Sequence, residues 1–289
     1  MAKVRIVTDS SAHFLDPAVI DHYQIEVVPL TIQIGNRTYR EGVDLDADTF
    51  FRLAGATDTI ATLQPPSVED FAALYARLNR ETDQILSLHL SRQMSKTWDC
   101  ARAATKTLLG RCEIAVVDSM TTSVGLAVLV EAAARLADEG ASLDEVVRAV
   151  RAELPRVYTV FYVDSLDYLR HNGLLSQAQS ILGSMLSIKP FLTIEEGELI
   201  PMEKVRTQAQ AVDKLVEFVA EFSSVEQLVI LESALHLSDD ARALREQLAA
   251  EFPGQHFPLL VYRPSLATMI GLHGVGVVVL EGIEDEEDF

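Results

Sequence analysis

Three apolar runs of this chain end in the same way. Residues 3–8 lead into TDSS (Thr8, Asp9, Ser10, Ser11), residues 84–90 into SRQMSKT, and residues 113–117 into DSMTTS (Asp118, Ser119, Thr121, Thr122, Ser123). In the second run Leu86, Leu88 and Leu90 alternate with small or polar residues, the period of a strand, and a helical pattern starts at Trp98. Repetition of strand, hydroxyl-rich junction and helix constrains the fold more than any other feature. Parallel neighbours need a crossover of a dozen or more residues, usually a helix, so the pattern specifies a parallel sheet covered on both faces.

The remaining pattern fills in that frame. Helices are expected over 17–22, 47–54, 68–79, 98–109, 124–139 (closed by Gly140) and 143–154, with one or two strands in 25–35 and a hairpin turned at Asn36 into 37–39. The character changes after Pro155. A strand over 158–163 precedes helices at 165–171 and 176–186. An antiparallel pair, 189–194 and 198–205, turns at Glu196-Gly197. A helix at 208–222, a strand at 227–232, a helix at 238–252 and strands at 257–262 and 276–280 complete the chain. The expected architecture is therefore α/β with two domains. An N-terminal parallel α/β domain covers 1–156 and a mixed α+β domain covers 157–289. No repeat or low-complexity linker separates them, so they should pack closely around a cleft.

Charge and cysteine content exclude several functions. The 289 residues carry a formal net charge of −19. Nucleic acid is not an expected partner, because phosphate contacts need clustered Lys and Arg, and an anionic membrane surface would repel the chain as a whole. The ending EGIEDEEDF reads as a solvated acidic terminus. Two cysteines, Cys100 and Cys112, make no disulfide framework and have no Cys–His metal spacing. No apolar run approaches the ~18 residues of a spanning helix. MAKVRIVTDSS enters a strand directly, unlike a signal peptide. A cytoplasmic protein with reduced thiols is expected, with no integral membrane segment, no metal and no cofactor.

In open α/β sheets, ligands bind beyond the carboxyl ends of the strands. Taken singly, each hydroxyl there reads as a helix N-cap. Taken together, and with Thr62, Gln64 and Ser67 of ATLQPPS added, they suit a weak, singly charged anion such as a carboxylate. The phosphate signatures G-x-x-x-x-G-K-[ST] and G-x-G-x-x-G are absent, as is the G-x-S-x-G of many serine hydrolases. DLDAD begins like a calcium loop but lacks the required Gly and Glu, so capping by Asp46 or Asp48 is the better reading. His89 reads as a satisfied, partly buried histidine, Cys100 as a packing residue, and His273, flanked by glycines in GLHGVG, as a candidate ligand contact.

The order of several motifs resembles the DegV family, the fatty-acid-binding proteins that serve bacterial fatty-acid kinase. These are VTDSS, the Y-x-x-G-V-D element (Tyr39, Gly42, Val43, Asp44), T-x-Q-P (Thr62, Gln64, Pro65), LSRQMSKTWDCA, VVDSMTTSVG, VDSLDYLRHNG, LSIKPFL and EKVRT. The resemblance spans nearly the whole length and implies a two-domain fold with one fatty acid between the domains. It places the carboxylate on Thr62 and Ser95, with Thr97 beside Ser95 at a helix N-terminus and His273 joining the same region; Ser119, one of the strand-end hydroxyls, is also expected in the binding set. Lys204 and Arg206 correspond to the exposed basic region at the carboxylate mouth or the kinase docking face. The implied ligand is an acid such as palmitate, stearate or oleate, and the implied partner is a separate kinase catalytic subunit. The stretch 181–194 (ILGSMLSIKPFLTI) offers an apolar tunnel wall.

Four positions depart from the family pattern. Leu63 stands for the Ser of T-S-Q-P, Lys96 for the Gly of S-G-T, Leu174 for the Arg of G-G-R-I-S, and HGVGV for H-x-G-P-G. Lys96 adds a positive charge beside the expected carboxylate, and the loss of Arg at 174 removes a usual kinase contact. Two other readings stay open on the residues alone. One is an enzyme acting on a small carboxylate or acyl compound through Ser95 or Ser119. The other is an adaptor whose lipid only signals nutritional state.

Overall fold

A computed structural model of the chain describes residues 3–175, 189–233 and 238–283, apart from the side chains of Glu203 and Lys204. The first half alternates as expected: β1 (Arg5–Asp9), α1 (Ala18–Tyr23), β2 (Glu26–Val28), β3 (Thr31–Ile34), β4 (Arg37–Arg40), α2 (Ala47–Gly55), β5 (Thr62–Gln64), α3 (Val68–Leu78), β6 (Gln84–His89), α4 (Thr97–Ala104), β7 (Glu113–Asp118), α5 (Ser123–Asp138) and α6 (Leu143–Glu153). Strands β2, β1, β6 and β7 form a parallel sheet in that order, so the carboxyl ends of β1, β6 and β7 lie side by side.

The run 25–35 splits at Pro29-Leu30. Proline lacks an N–H to donate, and β2 stops before it. Beyond it, β3 leaves the parallel sheet and pairs antiparallel with β4 and β5 in a separate three-stranded sheet. The hairpin turns at Gly35-Asn36 as expected. Strand β5 was not expected. It has three residues and stops at Pro65-Pro66, too short for a readable period. The expected helix 98–109 is α4 followed by a 3₁₀ turn, Thr105–Leu108.

The second half contains β8 (Val157–Val163), α7 (Asp167–His171), β9 (Lys189–Glu195), β10 (Glu198–Val205), α8 (Gln208–Ala220), β11 (Val225–Glu232), α9 (Asp239–Glu251), β12 (Leu259–Val261), α10 (Pro264–Ile270) and β13 (Gly274–Glu281). Its strands form one mixed sheet, ordered β10, β9, β8, β13, β11, β12. The expected helix 176–186 and the part of the tunnel wall up to residue 188 lie outside the described residues. Helix α10 escaped a periodic reading because Ser265 to Ile270 are all buried, leaving no polar stripe, although Pro264 marks its start.

Helix α5 is apolar almost all round because it is buried on most sides. It packs on β1 and α6 in the first half and on β8 and β13 in the second. One core cluster therefore runs through both halves, joining Ile6, Leu86 and Val130 to Phe161, Leu192, Val229 and Val278. The alternate residues of the mixed sheet, Val160, Ile230 and Val277 among them, face the opposite way into a second cluster with α8 and α9. A third cluster lies under α3 and α4.

The HGVGV segment has a structural account in this alternation. Val275 and Val277 point into the second cluster, so Gly276 lies on the face turned toward the first half. A Cβ there would sit 2.3 Å from Phe161 Cδ1. Glycine lets the fully buried Phe161 ring lie across β13.

Candidate functional site

The three strand-end loops differ once their bonds are traced. After β1, Asp9 is fully buried and every acceptor direction is used. One carboxylate oxygen takes the Ser11 amide at 3.1 Å and the Ser11 hydroxyl at 2.6 Å. The other takes the Leu90 amide at 3.0 Å and meets His89 Nδ1 at 3.0 Å. His89 Nε2 bonds Ser87 Oγ at 2.7 Å, and Ser87 bonds the Tyr75 hydroxyl at 2.7 Å. His89 is thus the satisfied histidine expected, buried completely rather than partly. This chain of side chains welds the ends of β1 and β6.

Ser10 reaches across to Glu41. Glu41 accepts from Ser10 Oγ at 2.6 Å and from the Ser265 amide, at the start of α10, at 2.7 Å. Arg263 donates to the Ser10 carbonyl at 3.2 Å. Burial pushes the Glu41 carboxyl above the usual carboxylate range, against the opposing effect of its hydrogen bonds and of Arg263. His13, whose amide donates to Ser123 O at 3.1 Å, is pulled down to about 3 by burial and then by Arg263. Neither Glu41 nor Arg263 was singled out from sequence. The separation of more than 200 residues between Glu41 and Ser265 left no local signal.

After β6, Ser91 donates to the Gly197 carbonyl at 2.7 Å, which ties this loop to the β9–β10 turn of the mixed sheet. Glu196 and Gly197 both have positive φ, the geometry of a tight two-residue hairpin. A Cβ on Gly197 would lie 2.4 Å from Ser91 Oγ, so only glycine fits at this junction. Ser95 and Thr97 come together as expected, with hydroxyl oxygens 2.9 Å apart, and Ser95 Oγ accepts the Thr97 amide at 3.3 Å. Thr97 is the first residue of α4, and Lys96, at the cap position, makes no side-chain cap. The first turn of a helix has amides without intrahelical partners. The hydroxyl pair has two protons and uses one internally, so one remains for a ligand oxygen. Ser95 is half-buried and Thr97 fully buried.

After β7, Ser119 donates to the Thr121 carbonyl at 3.1 Å and accepts the Thr121 amide at 3.3 Å, closing its own turn. The hydroxyls of Thr121, Thr122 and Ser123 are buried with no hydrogen-bond partner among the described residues.

The other expected site residues make different contacts. Leu63 packs against the main core, so alternation puts half-buried Thr62 on the opposite face of β5. There it shares a face with Gln33 and Gln64, which bond each other at 3.0 Å. Among the described residues no hydrogen bond joins Thr62 to Ser95 or Thr97. His273 is exposed. It lines a small depression of about 140 Å³ with Asp164, Lys189, Gln208 and Asp240, on the side covered by α8, and none of the expected carboxylate hydroxyls lines it. Arg206 is exposed, its amide bonded to Gln210 Oε1 at 3.1 Å, and Lys204 lies on β10. Lys96 pairs with Asp99 at 3.5 Å on the surface, and Leu174 packs against the main core. Asp46 caps α2 through the Thr49 amide at 2.8 Å, which accounts for DLDAD. Ser67 and Asp70 form a reciprocal capping box on α3.

The sheets, the shared core and the hydroxyl-bearing strand ends at their junction define a mixed α/β protein whose polar loops are clamped by its second half. A sequence profile described as "Uncharacterised protein, DegV family" matches residues 3–282. A DegV domain-containing protein of Caldanaerobacter subterraneus is 37% identical over 219 residues, which is 76% of this chain and 77% of that protein. Among solved structures, the fatty-acid-binding DegV family protein of Streptococcus agalactiae superposes with a TM-score of 0.89 at 26% identity, covering 98% of this chain and all of that one. A DegV family protein from Thermus thermophilus, described for its fatty-acid binding, superposes with a TM-score of 0.85 at 27% identity, covering 97% of this chain and all of that one. The chain belongs to the DegV family.

Proposed function

We propose that this protein binds one long-chain fatty acid of the palmitate, stearate or oleate class between its two domains, 1–156 and 157–289. The observation that carries the reading is the whole-length likeness to the fatty-acid-binding DegV structures of Streptococcus agalactiae and Thermus thermophilus. The paired hydroxyls of Ser95 and Thr97 hold the carboxylate, with the amides at the start of α4 adding donors for a negative charge. Thr62 and Ser119 complete the binding set, Thr62 by rotating or shifting toward α4 when the ligand enters. His273 serves the mouth rather than the carboxylate itself, with Lys204 and Arg206. The head group is then presented to a separate fatty-acid kinase, which makes the acyl phosphate.

The energetics are adequate. Burying about 14 methylenes of a C16 chain at about 0.8 kcal/mol each yields on the order of 11 kcal/mol of gross transfer free energy. Chain ordering and carboxylate desolvation remove a large share and leave room for micromolar or tighter binding. The bonding of the two candidate nucleophiles supports a carrier over an enzyme. Ser95 is bonded to a hydroxyl and an amide and Ser119 to a carbonyl and an amide, neither to a base that could take its proton.

Native mass spectrometry of protein purified without detergent tests the reading. An added mass of roughly 250–285 Da, released by solvent and identified as a fatty acid, is expected, because long chains are what hydrophobic burial retains. Protein that stays empty after incubation with palmitate and oleate would refute it. Presentation is tested by acyl-phosphate formation when loaded protein is mixed with a fatty-acid kinase from the same source. No product from protein shown to be loaded would leave binding standing and remove the kinase role.

A further inference from the structure

The basic residues of this acidic chain are unevenly placed. The stretch from Arg92 to Arg111 holds five of the 24 Lys and Arg residues (Arg92, Lys96, Arg102, Lys106, Arg111) and one of the 43 acidic ones, Asp99. All five basic side chains are exposed. Two of them flank the only tryptophan of the sequence, Trp98. The guanidinium of Arg92 lies 4.7 Å from its ring centre and that of Arg102 lies 5.9 Å away. Stacking of this kind holds an arginine fork in place and leaves its N–H groups free for a carboxylate.

Beside this face runs a groove of about 560 Å³, between α4, the 3₁₀ turn after it and β7, the outer strand of the parallel sheet. Ala103, Leu109 and Ile114 supply apolar surface; Arg102 and Lys106 also line it, with one acid, Asp99, which is paired with Lys96. Leu109 is 75% exposed, the most exposed large apolar side chain among the described residues. A concave apolar surface lined by cations is unlike a bilayer-docking surface, which needs apolar side chains that protrude. A planar anionic surface would also meet the rest of a chain whose net charge is −19. A narrow partner meets the basic patch alone.

We infer that this groove is a docking site for an acidic amphipathic helix of a partner protein. Its apolar side chains would cover Leu109 and Ile114, and its Asp or Glu side chains would pair with Arg102, Lys106 and the Trp98-stacked arginines. The site is independent of fatty-acid binding. It uses none of the proposed ligand residues, and an empty carrier would keep it.

Trp98 reports the site directly. The probe is a synthetic helix of about 20 residues, long enough to be helical alone, with Leu at i, i+4 and Glu on the flanking positions. Titration followed by Trp98 fluorescence should saturate at a dissociation constant near or below about 100 μM at low salt, the range of a weak surface contact. Binding should weaken several-fold between about 50 and 300 mM salt, since exposed charge pairs are screened. Charge reversal in Arg102→Glu/Lys106→Glu should weaken it by about tenfold or more, which is 1.4 kcal/mol. The surface-exposed Arg80→Glu should leave it unchanged. Equal binding of a scrambled peptide would overturn the proposal, because charge alone would then explain it. So would tighter association with phosphatidylcholine–phosphatidylglycerol vesicles than with the peptide, or no saturable response at all.

Discussion

The loops after β1 and β6 cap neighbouring strands and look alike in sequence, TDSS against SRQMSKT, yet they are built for opposite ends. In the first, both serine hydroxyls end on a buried carboxylate, Ser11 on Asp9 and Ser10 on Glu41. In the second, Ser95 and Thr97 bond each other and keep a proton to donate. The first loop is framework, its two serines committed to buried carboxylates. The second is kept in shape from outside, by Asp9 on the Leu90 amide and by Gly197 on Ser91. A hydroxyl-rich strand end is therefore not a site by composition. What decides is whether an acid lies within reach to saturate it.

The sharpest way to break this contrast is at Asp9. Asp9→Ala leaves the Ser11 amide and hydroxyl, the Leu90 amide and His89 Nδ1 without their buried acceptor. Removing one partner from a buried charged network costs about 3 kcal/mol or more. Urea unfolding should show a midpoint shift of that size, with a smaller loss for Asp9→Asn. A loss under about 1 kcal/mol would mean the two loops are held alike and the contrast is false.

The second test concerns the clamp on the β6 loop. Gly197→Ala places a side chain at φ +84° and 2.4 Å from Ser91 Oγ. A left-handed conformation alone costs about 1–2 kcal/mol for a residue with a Cβ, and the contact adds to it. We expect a loss of about 2 kcal/mol or more. In the double variant with Ser91→Ala the two losses should fall short of additive, because the clashing oxygen is gone. Full additivity would show that the turn and the loop are not coupled.

How much of this was readable beforehand follows the range of each interaction. The parallel sheet, the change of character near residue 156, the Glu196-Gly197 turn and the pairing of Ser95 with Thr97 all depend on residues close in sequence. Periodicity and turn chemistry expose such features. Strand β5 is too short for a period, and α10 is buried all round, so neither carried one. The Asp9–His89 bond spans 80 positions and the Glu41–Ser265 bond 224. No pattern along the chain encodes them, although TDSS did mark Asp9. Local composition singled out Thr62 and His273 and resemblance assigned them to the carboxylate; among the described residues neither hydrogen-bonds Ser95 or Thr97. Only packing shows that Leu63 takes the inward position on β5.

A third test uses pH to read the framework loop. His13 is held to about 3 in the folded protein, against 6.5 when exposed. Above pH 6.5 both states are neutral there and nothing is lost. Below it the unfolded chain takes up a proton that the folded one refuses. Stability therefore falls by about 1.4 kcal/mol per pH unit, or about 2 kcal/mol by pH 5. His13→Asn should flatten the curve by that amount over pH 6.5–5. Glu41 acts with the opposite sign. Its carboxyl is raised by burial, so its contribution is full below about 4.5, the usual carboxylate range, and is lost as pH rises through the folded value. Parallel curves for wild type and His13→Asn would place His13 in water, outside the framework.

The smallest effect on stability is expected where the effect on ligand is largest. Ser95→Ala removes a half-buried hydroxyl whose partners are the hydroxyl and the amide of the fully buried Thr97. Its unfolding free energy should fall by about 1 kcal/mol, the net worth of an ordinary hydrogen bond and less than any of the framework changes. Fatty-acid retention should fall by about tenfold, the 1.4 kcal/mol typical of one hydrogen bond to a charged group. Adding Thr62→Ala tests whether β5 moves toward α4 on binding. A further fall means that Thr62 reaches the carboxylate in the loaded protein. An unchanged affinity means that it stays with Gln33 and Gln64, and that the head group is held by the β6 loop and the start of α4. A fatty alcohol separates this from general damage to the tunnel: its affinity should drop far less than that of the acid in Ser95→Ala, because the lost donor serves the negative charge and not the chain.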